Sequence, residues 1–244
     1  MGGSVITNKE TPYTFKRQRT RRLIKEVASS IQEGLIIVHG GGSFGHPGAE
    51  EYHINNDEPR NVAEAASNVQ NDMRLLNTRV LELMIEEGLY PISLPGGLVT
   101  YYENKELVQI DEDIFKRYLN IGTVPVTFGD VALDKSNKIT ICSGDDLMLA
   151  LGKMADRAIF VSDVDGIYKN GNLVKEFSKS SIPLTQDDLP SQKDSIDVTG
   201  GMNRKIKSML KLSKYCRTFL VNGRKKGRLS RLIDGNKVTC TEVI

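Results

Sequence analysis

The chain is poor in the residues that build disulfide frameworks and metal clusters, holding only three cysteines and three histidines among 244 residues. Cys142, Cys216 and Cys240 are far apart and show no CxxC spacing, so neither a cystine scaffold nor a zinc site is expected. They read as small buried hydrophobes. No apolar run approaches the ~20 residues of a membrane-spanning helix, and residues 1–10 lack the basic flank and apolar core of a signal peptide. An excess of one charge is missing too, with 33 Lys and Arg against 31 Asp and Glu, a net +2. Such a balance makes no global field that would demand nucleic acid or a lipid surface, while acidic small molecules stay open as ligands. The expectation is a cytoplasmic protein that contacts neither membrane nor nucleic acid.

What is present is an alternation of short β-rich apolar runs with stretches of helical period. Strands are expected at Val5–Thr7, Leu35–Val38, Pro91–Leu94, Val124–Phe128, Ala158–Val161 and Phe219–Val221, with residues 237–244 as a closing strand. Helices are expected over 18–33, 61–87, 111–120, 145–154 and 202–215. The second carries Val69, Met73, Leu76, Val80 and Leu83 at spacings of four, three, four and three, the stripe of a core-facing helix. Unbroken apolar strands between helices predict an α/β fold: an open, mainly parallel sheet sandwiched by helices in three αβα layers. Residues 169–197 turn polar, with Asn170-Gly171 as a hairpin signal, and read as a surface excursion.

Glycine-rich turns follow several of these strands: Gly40-Gly41-Gly42-Ser43-Phe44-Gly45, Gly129-Asp130, Ser143-Gly144-Asp145-Asp146, Asp165-Gly166 and Thr199-Gly200-Gly201. Ligands of open α/β sheets lie beyond the carboxyl ends of the strands, and glycine lets backbone amides approach an anion there. Several such turns suggest a phosphate-rich ligand. The Gly40-x-Gly42-x-x-Gly45 string formally matches the dinucleotide fingerprint, but it follows His39, and Pro47 is expected to interrupt the helix that should carry a pyrophosphate. No GxxxxGK[ST] occurs. Gly200-Gly201-Met202 opens a helix with Lys205 in its first turns, and Lys9 follows Gly2-Gly3-Ser4, so two ammonium groups could meet phosphate. By spacing alone, Asp145 and Asp146 are expected to cap a helix; the functional reading is that one carboxylate positions the lysines. Asp163 and Asp165 divide the same way between turn formation and ligand contact. His39 reads as structural, and His46 as a donor only in a suitable context. The basic run from Lys16 to Arg22 reads as a solvated face, and Arg224, Lys225, Lys226 and Arg228 stay unassigned.

Taken in order, these motifs resemble the amino acid kinase superfamily over nearly the whole chain, and within it the archaeal-type isopentenyl phosphate kinases. The resemblance rests on Gly2–Lys9, His39–His46, Gly129–Val131, Ser143–Asp146, Ser162–Tyr168 and Asp197–Met202. It implies one domain over residues 1–244, with a lobe of about 1–135 binding the acceptor and one of about 136–244 binding ATP. The implied reaction is phosphorylation of isopentenyl phosphate with ATP and Mg2+ in isoprenoid biosynthesis, by a homodimer. By the same resemblance Lys9, Asp145 and Lys205 are catalytic, while Gly41, Ser43, His46, Gly129, Asp130 and Gly144 hold the acceptor. Gly3, Ser4, Gly42, Ser162, Asp163, Asp165, Gly166, Tyr168, Gly200, Gly201, Met202 and Lys205 hold the nucleotide, and Met73, Leu76 or Val80 line a pocket for the isoprenoid tail. No residue is assigned to a metal. A phosphate monoester, with a second pKa near ~6, is already a nucleophile at neutral pH, so no general base is required. The family places a lysine two residues before its first Gly-Gly-Ser, and this sequence has no counterpart, which suggests a shortened or misassigned start. Two alternatives follow: a fosfomycin-type kinase with a similar glycine loop, and a nucleotide binder without turnover.

Overall fold

The computed structural model describes residues 1–8, 10–30, 34–54, 56, 61–178 and 201–244. The first part of the chain forms α1 (Gly3–Ile6), α2 (Arg17–Ala28), β1 (Ile37–His39), α3 (His46–Glu51), α4 (Val62–Glu86), β2 (Pro91–Pro95) and α5 (Gly96–Val99). The middle forms β3 (Thr100–Glu103), β4 (Glu106–Ile110), α6 (Glu112–Asn120), β5 (Val124–Phe128), β6 (Asp130–Asp134), β7 (Lys138–Cys142) and α7 (Gly144–Leu151). The last part forms β8 (Arg157–Ser162), β9 (Ile167–Lys169), β10 (Asn172–Val174), β11 (Glu176–Phe177), α8 (Gly201–Leu212), β12 (Arg217–Asn222), α9 (Arg228–Ile233) and β13 (Cys240–Val243).

A strand apolar on both faces needs cover on both faces, and β1 and β5 are buried at every residue. They pair in parallel in the order β1-β5-β2. A second sheet, β11-β13-β12-β8, has β8 and β12 in parallel over six residue pairs, with β13 antiparallel at the far side of β12. Residues 1 and 2 lie between the two sheets: Gly40 N–H donates to the Met1 carbonyl (3.1 Å), and Gly2 N–H donates to Val161 O (2.9 Å). The mixed α/β fold with parallel strands at its centre is the architecture expected from the alternation.

Helix α4 lays Val69, Met73, Leu76, Val80 and Leu83 into the largest core cluster. The basic run on α2 meets the acidic end of α4, with Arg17 donating to Glu86 (2.6 Å) and Arg21 to Glu87 (2.9 Å). Exposed pairs of this kind are screened by water and contribute little, so they register α2 on α4 more than they stabilise it. The three cysteines are free, and Cys142 and Cys216 are buried.

Two expectations are corrected, and one sheet is additional. Val5-Ile6-Thr7 is not a strand: Thr7 N–H donates to Gly3 O (2.8 Å), closing the turn α1, and only Thr7 forms a single bridge, to Phe15. Pro47 does not interrupt a helix but occupies the first turn of α3, where its missing N–H costs nothing. A further sheet, β4-β3-β6-β7, was not anticipated. Its β3–β4 hairpin turns through Asn104 and Lys105, both at positive φ (52° and 63°). The hairpin expected at Asn170-Gly171 is present as β9–β10.

Candidate active site

The carboxyl ends of β1, β5 and β8 and the starts of α1, α3 and α7 surround a cleft of about 260 Å³. Its floor is backbone, because the glycines let separate segments touch. A Cβ on Gly40 would fall 2.9 Å from Gly3 N, one on Gly129 would fall 3.6 Å from Gly144 N and 3.9 Å from Gly41 N, and one on Gly3 would overlap Gly42 N. The backbones of Gly3, Gly40 and Gly42 therefore approach one another closely, Gly129 sits beside Gly41 and Gly144, and all of them line the cleft, where glycine amides suit an anion. Thr7 clips this floor together: its hydroxyl donates to Gly3 O (2.8 Å) and accepts from Ser43 N–H (3.0 Å).

Ser143, not an aspartate, caps α7, its Oγ accepting from Asp146 N–H (3.1 Å). This corrects the capping expectation and leaves both carboxylates free for α8. Lys205 Nζ donates to Asp145 Oδ1 (2.5 Å), each side chain 19% exposed, and Arg204 donates to Asp146 (2.8 Å). Lys205 also lies over the Phe160 ring, 5.4 Å from its centroid. The result is an ammonium held at the cleft wall on α8, across from the glycine floor. His46 opens α3 at the exposed rim.

Asp130 begins β6 with its side chain wholly buried. Oδ1 accepts from Val131 N–H (2.9 Å), while Oδ2 has no hydrogen-bond partner among the described residues and has Arg74 at 3.6 Å. Burial pushes its carboxyl up to about 6, against the pull of Arg74 and the Val131 and Gly97 amides. An acid whose folded pKa is raised takes up protons on folding, so this residue's stability contribution is lost as pH rises from about 4 through about 6. Asp130→Asn is therefore expected to be more stable than the parent by about 1–3 kcal/mol at pH 8, a gain that vanishes near pH 4. Urea unfolding at the two pH values reads this; an equal effect at both would remove the buried charge from the account. A carboxylate kept at such a cost in a cleft wall is a functional-site candidate.

Of the residues singled out in the sequence, Gly3, Ser4, Gly41, Gly42, His46, Gly129, Asp130, Gly144, Asp145, Ser162, Asp163, Met202 and Lys205 all line this one cleft. Ser43 lies behind it, buried, with its amide on Thr7. Asp165, Gly166 and Tyr168 lie off the wall; Asp165 accepts from Arg228 (2.6 Å) and Asn222 (2.8 Å), which hold its carboxyl below the usual carboxylate range despite the opposing effect of burial. Gly201 opens α8, while Lys9 and Gly200 lie outside the described residues. Arg224, left unassigned from sequence, pairs with Asp163 (3.4 Å). Met73 reaches the cleft, but Leu76 and Val80 are fully buried in the core. Val69, one turn earlier on α4, takes the wall position with Ala49. Of the three α4 residues that the resemblance offered for a tail pocket, Met73 alone lines the cleft, while Leu76 and Val80 are core, as the stripe spacing implies. No signal in the sequence marked Cys142, Met148 or Phe160, which also line the cleft.

Residues 1–222 match the profile of the Amino acid kinase family. An isopentenyl phosphate kinase of Thermoplasma acidophilum is 34% identical over 235 residues, covering 94% of this chain and 92% of the relative. One of Methanothermobacter thermautotrophicus is 33% identical over 258 residues, covering 100% and 97%. A crystal structure of isopentenyl phosphate kinase superimposes with a TM-score of 0.86 at 28% identity, over 100% of this chain and 98% of that one. With its glycine floor and its lysine-bearing helix brought to one cleft, the chain belongs to the amino acid kinase family.

Proposed function

We propose that the protein transfers the γ-phosphoryl group of ATP to the phosphate of isopentenyl phosphate, giving isopentenyl diphosphate and ADP. The observation that carries this reading is the continuity of one cleft: an amide floor, a paired ammonium, an exposed imidazole at the rim, and an apolar wall of Ala49, Val69 and Met73. The last suits a short hydrocarbon tail. The relatives at 34% and 33% identity favour this acceptor over a fosfomycin-type phosphonate.

An oxygen of the acceptor phosphate attacks Pγ, the bond from Pγ to the β-bridging oxygen breaks, and ADP leaves. Two polyanions must meet, so catalysis is positioning and charge cancellation. Lys205 stabilises the transferring group, Asp145 fixes its ammonium, and the residues of about 136–244 hold the nucleotide. Gly41, Gly144 and His46 hold the acceptor phosphate. The cleft carboxylates Asp145 and Asp163 each already face a cation, and the described residues contain no group of three metal-ligating side chains. These residues do not form a protein cage for Mg2+, which in this reading enters with the nucleotide.

An ADP-release assay with Mg-ATP and isopentenyl phosphate, dimethylallyl phosphate, fosfomycin or no acceptor tests the proposal. Turnover of isopentenyl phosphate is expected; ATP binding without turnover of any acceptor would replace it with a binding-protein reading. His46→Ala is expected to raise the acceptor KM at least tenfold and leave the KM for ATP within twofold, since it removes a donor seen by the acceptor alone. An unchanged acceptor KM would move the acceptor away from the α3 rim.

A further inference from the structure

His39 ends β1, is fully buried, and stacks on Phe128 with ring centroids 5.1 Å apart and planes 13° from parallel. Its Nδ1 lies 3.3 Å from the Gly40 carbonyl oxygen, and its Nε2 lies 3.2 Å from Asn77 Oδ1. Asn77 Nδ2 in turn lies 2.8 Å from Ser93 Oγ. With atoms so placed, both ring nitrogens face acceptors, which only an imidazolium would satisfy. Burial rules that form out at neutral pH, bringing the ring's pKa down to about 4. A neutral ring has one N–H, so one contact must be reversed. The Gly40 carbonyl can only accept, whereas a side-chain amide exchanges donor and acceptor by a half-turn about its last bond. With the Asn77 amide turned, every group is satisfied: Ser93 donates to Asn77, Asn77 donates to Nε2, and Nδ1–H donates to Gly40.

We propose that His39, as its Nδ1–H tautomer, is a positioning residue for the anion floor, gripping the Gly40 carbonyl so that the Gly41 N–H is aimed into the cleft. A trans peptide is planar, so its C=O and N–H point in opposite directions and fixing one fixes the other. This peptide joins two glycines, which have little torsional preference of their own to hold it. The Gly41 N–H has no acceptor among the described residues, and the Gly129 backbone beside it belongs to the cleft wall. The grip thus runs from Ser93 on the exposed face of β2 through the buried Asn77 and His39 to one amide of the site. The role deepens the kinase reading and rests on an anionic acceptor occupying this floor.

Two measurements test it. Long-range ¹H–¹⁵N correlation on ¹⁵N-histidine protein at pH 7 is expected to report the Nδ1–H tautomer for His39, without any substrate; the Nε2–H tautomer or an imidazolium overturns the proposal. In kinetics, His39→Asn places an amide donor near the Nδ1 position, whereas His39→Gln places it near Nε2, and both lose the stack on Phe128 equally. His39→Gln is expected to raise the acceptor KM at least tenfold with the KM for ATP within twofold, and His39→Asn to recover most of that loss. Equal acceptor KM values in the two variants, or losses in both that follow their Tm, would make His39 purely structural and overturn the proposal. Should the parent protein fail to turn over isopentenyl phosphate, the kinase reading falls while the tautomer measurement still decides the role of His39.

Discussion

Replacing Lys205 with alanine is expected to lower kcat by about 10²–10³-fold, the usual cost of deleting one preorganised group that meets developing charge. The expectation follows from placement: Nζ is held 2.5 Å from Asp145 Oδ1 and over the Phe160 ring, at 19% exposure, so its charge is weakly screened by water. The ammonium is oriented before substrate arrives, and no reorganisation is needed at the moment of transfer. Because the pair is a single contact at the edge of α7 and α8, the fold should survive the change, and the Tm separates lost chemistry from lost structure. A fall in kcat below tenfold would place Lys205 away from the transferring group.

Gly42→Ala is expected to act at the other side of the cleft, with a loss of at least a hundredfold in acceptor kcat/KM and a destabilisation of about 2–4 kcal/mol. Gly42 sits at φ +50°, and an added Cβ would overlap Thr7 Oγ1 and fall 2.8 Å from Gly3 O. Thr7 cannot yield without releasing both Gly3 O and Ser43 N–H. The comparison is Gly34→Ala, at φ +83° with nothing within 4 Å, where backbone strain acts alone and about 1 kcal/mol is expected. Urea unfolding of both variants beside acceptor kinetics checks this. Equal costs at the two positions would show that strain, not the approach of Thr7 and Gly3, governs Gly42.

The sequence disclosed the parallel core because continuous apolar runs such as Val124–Phe128 fit only a strand covered on both faces. It pointed to the cleft because glycines clustered at the ends of those strands. What it concealed has physical causes. Val5-Ile6-Thr7 carries β-favouring side chains, but three residues do not distinguish a strand from a helical turn, and the complete burial of Val5 and Ile6 suits either. The β3–β4 hairpin turns on Asn104-Lys105, which adopts the left-handed conformation without the glycine that usually announces it. Asp145 sat where an aspartate commonly caps a helix, but the Ser143-x-x-Asp146 spacing is itself that of an N-cap serine, and Ser143 takes the cap. His39 looked like ordinary core because its partner Asn77, and the Ser93 that Asn77 meets in turn, lie in distant parts of the chain.

The mutual approach of Gly3, Gly40 and Gly42 also constrains how this cleft can change over generations. A side chain on any one of them strikes the main chain of another, and main chain cannot be trimmed by a second substitution. Loss at one position therefore finds no compensating change at its neighbour, and a double substitution should cost little more than the worse single one, a strong departure from additivity. Sequence drift around the floor is confined to the residues that surround it, such as the apolar wall on α4. Under the proposed function, acceptor tails would diversify there while the phosphate seat stays fixed.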